Sequence, residues 1–244
     1  MRKINKLIVG TALEPFDIFI QARLTSKRLP GKVLKKIGNK TIIRTLLDRL
    51  KSAKSINKIV FLIPDNKKNR PLSNICKSLG YSVFLGSELN VLDRFYKASL
   101  VHKNERIIRI TSDCPFLDVN ILNNMTKRFI EAPSLDFLSN TLPPTFPKGY
   151  DVEIFTRETL KKTWLGAKKQ YDKEHVTPFM KKSSRFKKMN YKNNIDYSQI
   201  RMTLDTPEDL RILNNINKSL KLIKNFSFKD IIRLYKKTPK IFNL

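Results

Sequence analysis

Three apolar runs that end in polar loops constrain this chain more than any other feature. Asp17–Gln21 (DIFIQ), Lys58–Pro64 (KIVFLIP) and Arg106–Thr111 (RIIRIT) each have strand length and little alternation. A strand covered on both faces reads that way, because both sides of its pleat meet apolar neighbours. Segments of helical spacing lie between them. Thr41–Lys54 places Ile42, Ile43, Leu46, Leu47 and Leu50 on one face. Pro71–Leu79 opens on proline and stops before Gly80, and Val91–His102 and Val119–Ile130 are again helical. Tyr81–Leu85 reads as a further strand. The alternation predicts an α/β domain, with a mostly parallel sheet and helices on both faces. Ligands of such sheets bind beyond the carboxyl ends of the strands.

The second half reads differently. Leu135–Ser139, Asp151–Phe155, Phe186–Tyr191 and Ile200–Leu204 are strand candidates, with helical stretches at Glu158–Gln170 and Glu174–Lys181. Their close spacing predicts a smaller β flap on the same domain. Thr206–Leu220 opens with Thr-Pro-Glu-Asp, so Thr206 is the expected N-cap and Pro207 the first helical residue. A last helix is expected near Phe228–Tyr235. Residues 1–16 are irregular and predict an N-terminal arm, leaving 17–244 as the single domain.

Composition narrows the function. No apolar run approaches the roughly 20 residues needed to span a bilayer. Leu7–Leu13 lacks the cleavage pattern of a secretion signal, so a cytoplasmic protein without membrane attachment is expected. Cys76 and Cys114 fit neither a zinc spacing nor a disulfide framework. Cys114 follows a carboxylate, which disfavours its thiolate, and predicts an inert packed thiol. The 49 basic and 21 acidic residues give +28, which attracts polyanions. The lysines are spread along the chain, and no basic-aromatic stacking module appears. Nucleic acid is therefore not the expected partner; of the polyanions this charge attracts, a triphosphate and an anionic membrane surface are the other candidates.

Three loops carry the chemistry. Gln21–Leu34 (QARLTSKRLPGKVL) follows the first strand and gathers Arg23, Lys27, Arg28 and Lys32. Pro30 and Gly31 permit a tight turn and a close approach of backbone to ligand. Several cations with free N–H groups suit a triphosphate, although the same loop reads equally as a solvated basic surface. It is not a P-loop, since Ser26 stands at the first glycine and Val33 follows Lys32. Asp113, in RITSDCPFLD, and Asp205, in MTLDTPED, each fall just past a strand. Either alone is a turn former or cap. Together they can share one Mg²⁺ with phosphate oxygens, since Mg²⁺ favours one or two carboxylates, water and phosphate.

QARLTSKRLPGKVL, GSELNVLDRFYKA, RITSDCPFLD, PKGYDVEIF, EHVTPF and MTLDTPEDL occur in this order. The set resembles the spore-coat polysaccharide biosynthesis protein F family of cytidylyltransferases, which is similar to CMP-KDO synthetases and acylneuraminate cytidylyltransferases. The resemblance covers about Asp17 to Leu220. It implies the three-layer α/β/α nucleotide-diphospho-sugar transferase (Rossmann-like) fold, often as a homodimer. It implies transfer of CMP from CTP to a sugar acid or related small acceptor, with Mg²⁺ as cofactor and pyrophosphate released. Carried over by position, Arg23, Lys32, Asp113 and Asp205 are the catalytic set, with Asp113 and Asp205 the metal ligands. Gln21, Ala22, Arg23, Arg28, Lys32, Arg109 and Ser112 lie at the nucleotide. Asn140, Asp151, Glu153, Glu174 and His175 face the acceptor. The family's usual Gly-Ser-Thr-Arg is Thr25-Ser26-Lys27-Arg28 here, and its Gly-Asp-Cys-Pro is Ser112-Asp113-Cys114-Pro115; neither change removes a charge. His175 is a candidate base for a hydroxyl acceptor, although a Glu-His pair at a helix end also serves as a cap or ion pair. Two other readings fit the residues: a nucleotidyltransferase of this fold using another triphosphate with a sugar phosphate, and a non-catalytic polyanion-binding protein.

Overall fold

The computed structural model describes residues 15–223 and 225–242. The expected arm lies outside the described residues up to position 14. Phe16, placed in that arm from sequence, is instead the first residue of β1 and is fully buried.

Strand β1 (Phe16–Gln21) leads into the basic loop, which closes with one turn of 3-10 helix at Lys32–Leu34. A hairpin follows, β2 (Lys36–Ile37) and β3 (Lys40–Thr41), and hands the chain to α1 (Ile42–Leu50). Thr41 caps α1, its hydroxyl accepting from the Arg44 N–H. Then come β4 (Ile56–Pro64), α2 (Arg70–Ser78), β5 (Ser82–Gly86), α3 (Val91–His102), β6 (Arg106–Thr111) and α4 (Val119–Ile130). The second half supplies β7 (Phe137–Ser139), β8 (Glu153–Thr156), α5 (Arg157–Gly166), α6 (Gln170–His175), α7 (Pro178–Lys182) and β9 (Lys188–Asn190). Helices α8 (Pro207–Ser219) and α9 (Phe228–Lys237) close the chain.

Among the described residues seven strands form one sheet, in the order β5-β4-β1-β6-β8-β7-β9. All neighbours run parallel except β8, which is antiparallel to β6 and β7. The inner strand β1 shows why the domain has three layers. Phe16, Ile18 and Ile20 of β1 pack into the larger core, and Phe19 points into a second core on the opposite face. Helices α1, α4 and α8 cover the first face and α3 and α5 the second. Each such side chain contributes about 1.5–3 kcal/mol by leaving water.

The expected flap is not separate. β7, β8 and β9 extend the main sheet, and the small independent β element is the hairpin β2–β3 in the first half. The stretch Glu158–Gln170 stops being helical at Gly166. The stretch Glu174–Lys181 is broken at Val176, whose φ is 71°, before Pro178 starts α7. Ile200–Leu204 makes no strand. Its backbone exchanges bonds with Lys148 (Lys148 N to Ile200 O 2.9 Å, Met202 N to Lys148 O 2.8 Å) and then turns to the loop after β6. Those partners lie in loops, so no ladder can propagate.

Candidate active site

A cavity of about 610 Å³ opens at the carboxyl ends of β1 and β6, where a parallel sheet places its ligands. Gln21, Ala22, Arg23, Arg28, Lys32, Arg109 and Ser112, the residues expected at the nucleotide, all line it, as do Asp113 and Asp205. The basic loop folds over it because Gly31 adopts φ 67°, a left-handed conformation glycine takes without strain. The loop also anchors through Leu24, whose N–H donates to Asn69 Oδ1 at 2.7 Å.

Asp113 and Asp205 are 92 positions apart in sequence, yet one ammonium touches both. Lys32 Nζ lies 2.7 Å from Asp113 Oδ2 and 2.9 Å from Asp205 Oδ1. Arg28 Nη2 reaches the same Asp205 oxygen at 3.0 Å. Backbone holds the two aspartates together: the Leu204 N–H donates to the Asp113 carbonyl at 2.9 Å. The approach also needs Gly149. Its φ is 111°, and a Cβ there would lie 2.9 Å from the Met202 backbone.

The charges are strongly coupled. Burial works against the Lys32 charge, but Asp113 and then Asp205 outweigh it and raise its pKa. Burial would likewise raise Asp205, yet Lys32, Arg201 and Arg28 hold its carboxyl at about 2. Asp205 thus stays ionised, and the Lys32 ammonium lies against both carboxylates. Among the described residues no group of three or more His, Cys, Asp or Glu converges for a metal. Two carboxylates beside a cationic loop still fit Mg²⁺, which takes its remaining positions from water and phosphate. That an ammonium bridges both carboxylates shows that they are close enough for one cation.

A second network runs from the cavity floor into the interior behind it. Arg109 donates to Gln21 Oε1 through Nε (3.1 Å) and Nη2 (2.9 Å), and its Nη1 pairs with Glu153. Glu153 also meets Lys181 Nζ at 2.7 Å and accepts from the Thr177 hydroxyl at 3.0 Å. Burial pushes the Glu153 pKa up, but Arg109 and Lys181 bring it below the ordinary value. Glu153 therefore anchors Arg109 and does not line the cavity. Its stabilising effect is full above the ordinary glutamate range and fades as pH falls through its depressed value. Glu153→Gln is expected to cost about 3 kcal/mol at neutral pH, by leaving two cations without their carboxylate. Its denaturant midpoint is expected to fall below wild type at pH 7 and to converge with it in acid; a constant gap across pH would contradict the ion-pair account.

The other residues expected at the acceptor separate into two groups. Glu174 and His175 reach the cavity rim, exposed at the end of α6. Asn140 and Asp151 do not line it. Asn140 is buried and spends its amide on the backbone, Nδ2 to Tyr150 O (2.6 Å) and Oδ1 from Val152 N (2.9 Å). It clips the segment Tyr150–Val152 that carries Asp151 and leads into β8 at Glu153. Burial, with Glu153 and Asp113 nearby, raises the Asp151 pKa. Cys114 is buried with its thiol pKa pushed up by burial first and then by Asp113, as expected of an inert packed group.

Two residues with no role in the sequence reading stand out. Arg94, on α3, lines the cavity although it is only 3 % exposed. Its Nη1 donates to Ser87 O at 2.9 Å, and burial lowers its pKa to about 10. The segment GSELNVLDRFYKA held the signal, because a lone arginine interrupts the buried face Val91, Leu92, Phe95. Arg201 binds Asp205, and nothing local in sequence marks it.

A cavity with a cationic loop and paired carboxylates, at the carboxyl end of a mostly parallel sheet, has a lining suited to a phosphate-bearing ligand. The chain belongs to the cytidylyltransferase family, whose model matches residues 18–242. It is 36% identical over 228 residues to an uncharacterized protein of Methanocaldococcus jannaschii, covering 92% of both chains. It is 28% identical over 229 residues to the spore coat polysaccharide biosynthesis protein SpsF of Bacillus subtilis, covering 90% of this chain and 93% of that protein. Among solved structures, a cytidylyltransferase from Leptospira borgpetersenii is similar at 36% identity and a TM-score of 0.89, covering 94% of this chain and 97% of that one. The protein is thus a CTP-dependent nucleotidyltransferase of α/β fold. Among the described residues no helix is long and apolar enough to cross a membrane.

Proposed function

We propose that the protein transfers CMP from CTP to a sugar acid or a related small acceptor, supplying an activated precursor for a surface polysaccharide or glycoconjugate. The observation that carries this reading is the contact of Lys32 with both Asp113 and Asp205 beneath the loop of Arg23 and Arg28. An acceptor oxygen attacks the α-phosphorus in line. One phosphorus–oxygen bond forms, the bond to the β-phosphate bridge breaks, and pyrophosphate leaves with the bonding pair. Arg23, Arg28 and Lys32 hold the triphosphate and take up the charge that grows on the departing pyrophosphate. Asp113 and Asp205 would hold Mg²⁺, which when bound neutralises charge on the α-phosphate. Gln21 and Arg109 form the polar floor on which the nucleotide is oriented, and fixing it there is a large part of the catalysis. Glu174 and His175 stand at the rim, where an acceptor enters; His175 can receive the proton of a hydroxyl acceptor.

A pyrophosphate-release panel tests the reading. CTP, UTP, GTP and ATP are each offered with nonulosonic acids, KDO-type acids, amino sugars and phosphonates. Release with CTP and an acidic sugar is expected. Release only with another triphosphate and a sugar 1-phosphate would overturn the choice of substrates.

A further inference from the structure

Asp205 does not hold its own orientation. Its Oδ1 faces Lys32 and Arg28, while its Oδ2 accepts from Arg201 Nη2 at 2.7 Å. Arg201 is in turn gripped by Asp209, through Nε to Oδ1 at 2.7 Å and Nη2 to Oδ2 at 3.0 Å. Asp209 is buried and cannot turn freely. It is the third residue of α8 and completes the capping box with Thr206. Its Oδ2 also accepts the backbone N–H groups of Asp205 and Thr206, both at 2.8 Å. The Arg201 backbone is fixed as well, bridged to Lys148 in the turn that precedes Gly149. The guanidinium fork is therefore clamped at its base and ties off one Asp205 oxygen. Only Oδ1 is left to face Asp113 across Lys32.

We propose that Arg201 is a positioning residue for nucleotidyl transfer: clamped by Asp209, it locks Asp205 in the rotamer that presents Oδ1 to the divalent cation. The proposal rests on the reading of Asp113 and Asp205 as the metal pair. Arg201 does not line the cavity, so it acts through Asp205 and not on the nucleotide. Only a planar fork can serve, because Nε and Nη2 must meet two carboxylates in one plane. Partners that orient a metal ligand in this way are commonly worth about 10–100-fold in metal affinity.

The test measures Mn²⁺ binding by the loss of the free-ion electron paramagnetic resonance signal beyond that caused by CTP alone, with CTP present and no acceptor. Wild type is compared with Arg201→Gln, Arg201→Lys, Asp209→Asn and Asp205→Asn. Arg201→Gln is expected to weaken Mn²⁺ binding roughly 10–100-fold while metal-free CTP affinity stays at the wild-type level. Arg201→Lys does not restore it. Asp209→Asn keeps an acceptor oxygen for the helix cap, so it folds, and it shifts Mn²⁺ affinity in the same direction. Wild-type Mn²⁺ affinity in Arg201→Gln and Asp209→Asn, with affinity lost in Asp205→Asn, overturns the positioning role alone. A fall in metal-free CTP affinity in Arg201→Gln also overturns it, since the arginine would then touch the nucleotide. Undiminished Mn²⁺ binding in Asp205→Asn removes the metal pair itself, and the proposal with it.

Discussion

Asp113→Asn and Asp205→Asn are each expected to lower kcat/KM by about 10³-fold, with the fold retained. Both substitutions keep the shape of the side chain and delete one negative charge. Lys32 and Arg28 already neutralise Asp205, so the empty protein loses an ion pair and not a core contact. Asp113 sits 23 % exposed, where an amide is readily hydrated. The loss falls on the loaded enzyme, where a carboxylate oxygen facing a divalent ion is replaced by a neutral one. Steady-state pyrophosphate release measures it, and circular dichroism checks the fold. Wild-type turnover in both variants would remove the metal assignment.

Lys32→Ala is expected to weaken CTP binding roughly 10–100-fold, the loss of one charge-assisted contact to phosphate. A second effect follows in the empty protein. Lys32 is the cation common to both carboxylates, and without it Asp113 and Asp205 face each other with less compensation, Arg28 and Arg201 remaining on the Asp205 side. Thermal stability without ligand should therefore fall at neutral pH and recover partly when divalent ions are added. Isothermal titration with CTP and a melting curve with and without Mg²⁺ measure the two effects. Unchanged CTP affinity contradicts the loop assignment.

Much of this architecture was legible in the chain because strands buried on both faces leave a plain signal. DIFIQ, KIVFLIP and RIIRIT became β1, β4 and β6, side by side at the centre of the sheet or next to it. The Thr-Pro-Glu-Asp start of α8 was equally plain, since an N-cap, a proline and two acids satisfy local requirements that need no tertiary partner. What failed to show locally was set by distant partners. Ile200–Leu204 has the residues of a strand, but its backbone bonds are taken by Lys148 and Asp113. The break at Val176 puts a buried β-branched residue at positive φ, which local preference argues against and only the surrounding packing can impose.

The cavity was read on the same terms. The loop cations and Asp113 could be singled out because position after a strand carries meaning in a parallel sheet, whereas Asp205 was singled out after an expected strand, Ile200–Leu204, that does not form. Arg94 and Arg201 escaped because their value lies in what they meet: a nearly buried cavity wall for one, and Asp205 and Asp209 for the other. Asn140 and Glu153 point the other way. The resemblance implied that both contact an acceptor, whereas their hydrogen bonds are spent on Tyr150, Val152, Arg109 and Lys181. A short polar motif does not reveal whether its side chains face a ligand or one another.

The most direct measurement is a crystal grown with CTP and Mn²⁺, with data collected at the manganese absorption edge. An anomalous peak touching Asp113 and Asp205 is predicted, with the triphosphate lying along Arg23, Arg28 and Lys32 and the Lys32 ammonium moved from between the carboxylates onto phosphate oxygen. A nucleotide bound with Lys32 still bridging the two aspartates, or manganese held elsewhere, would contradict the account.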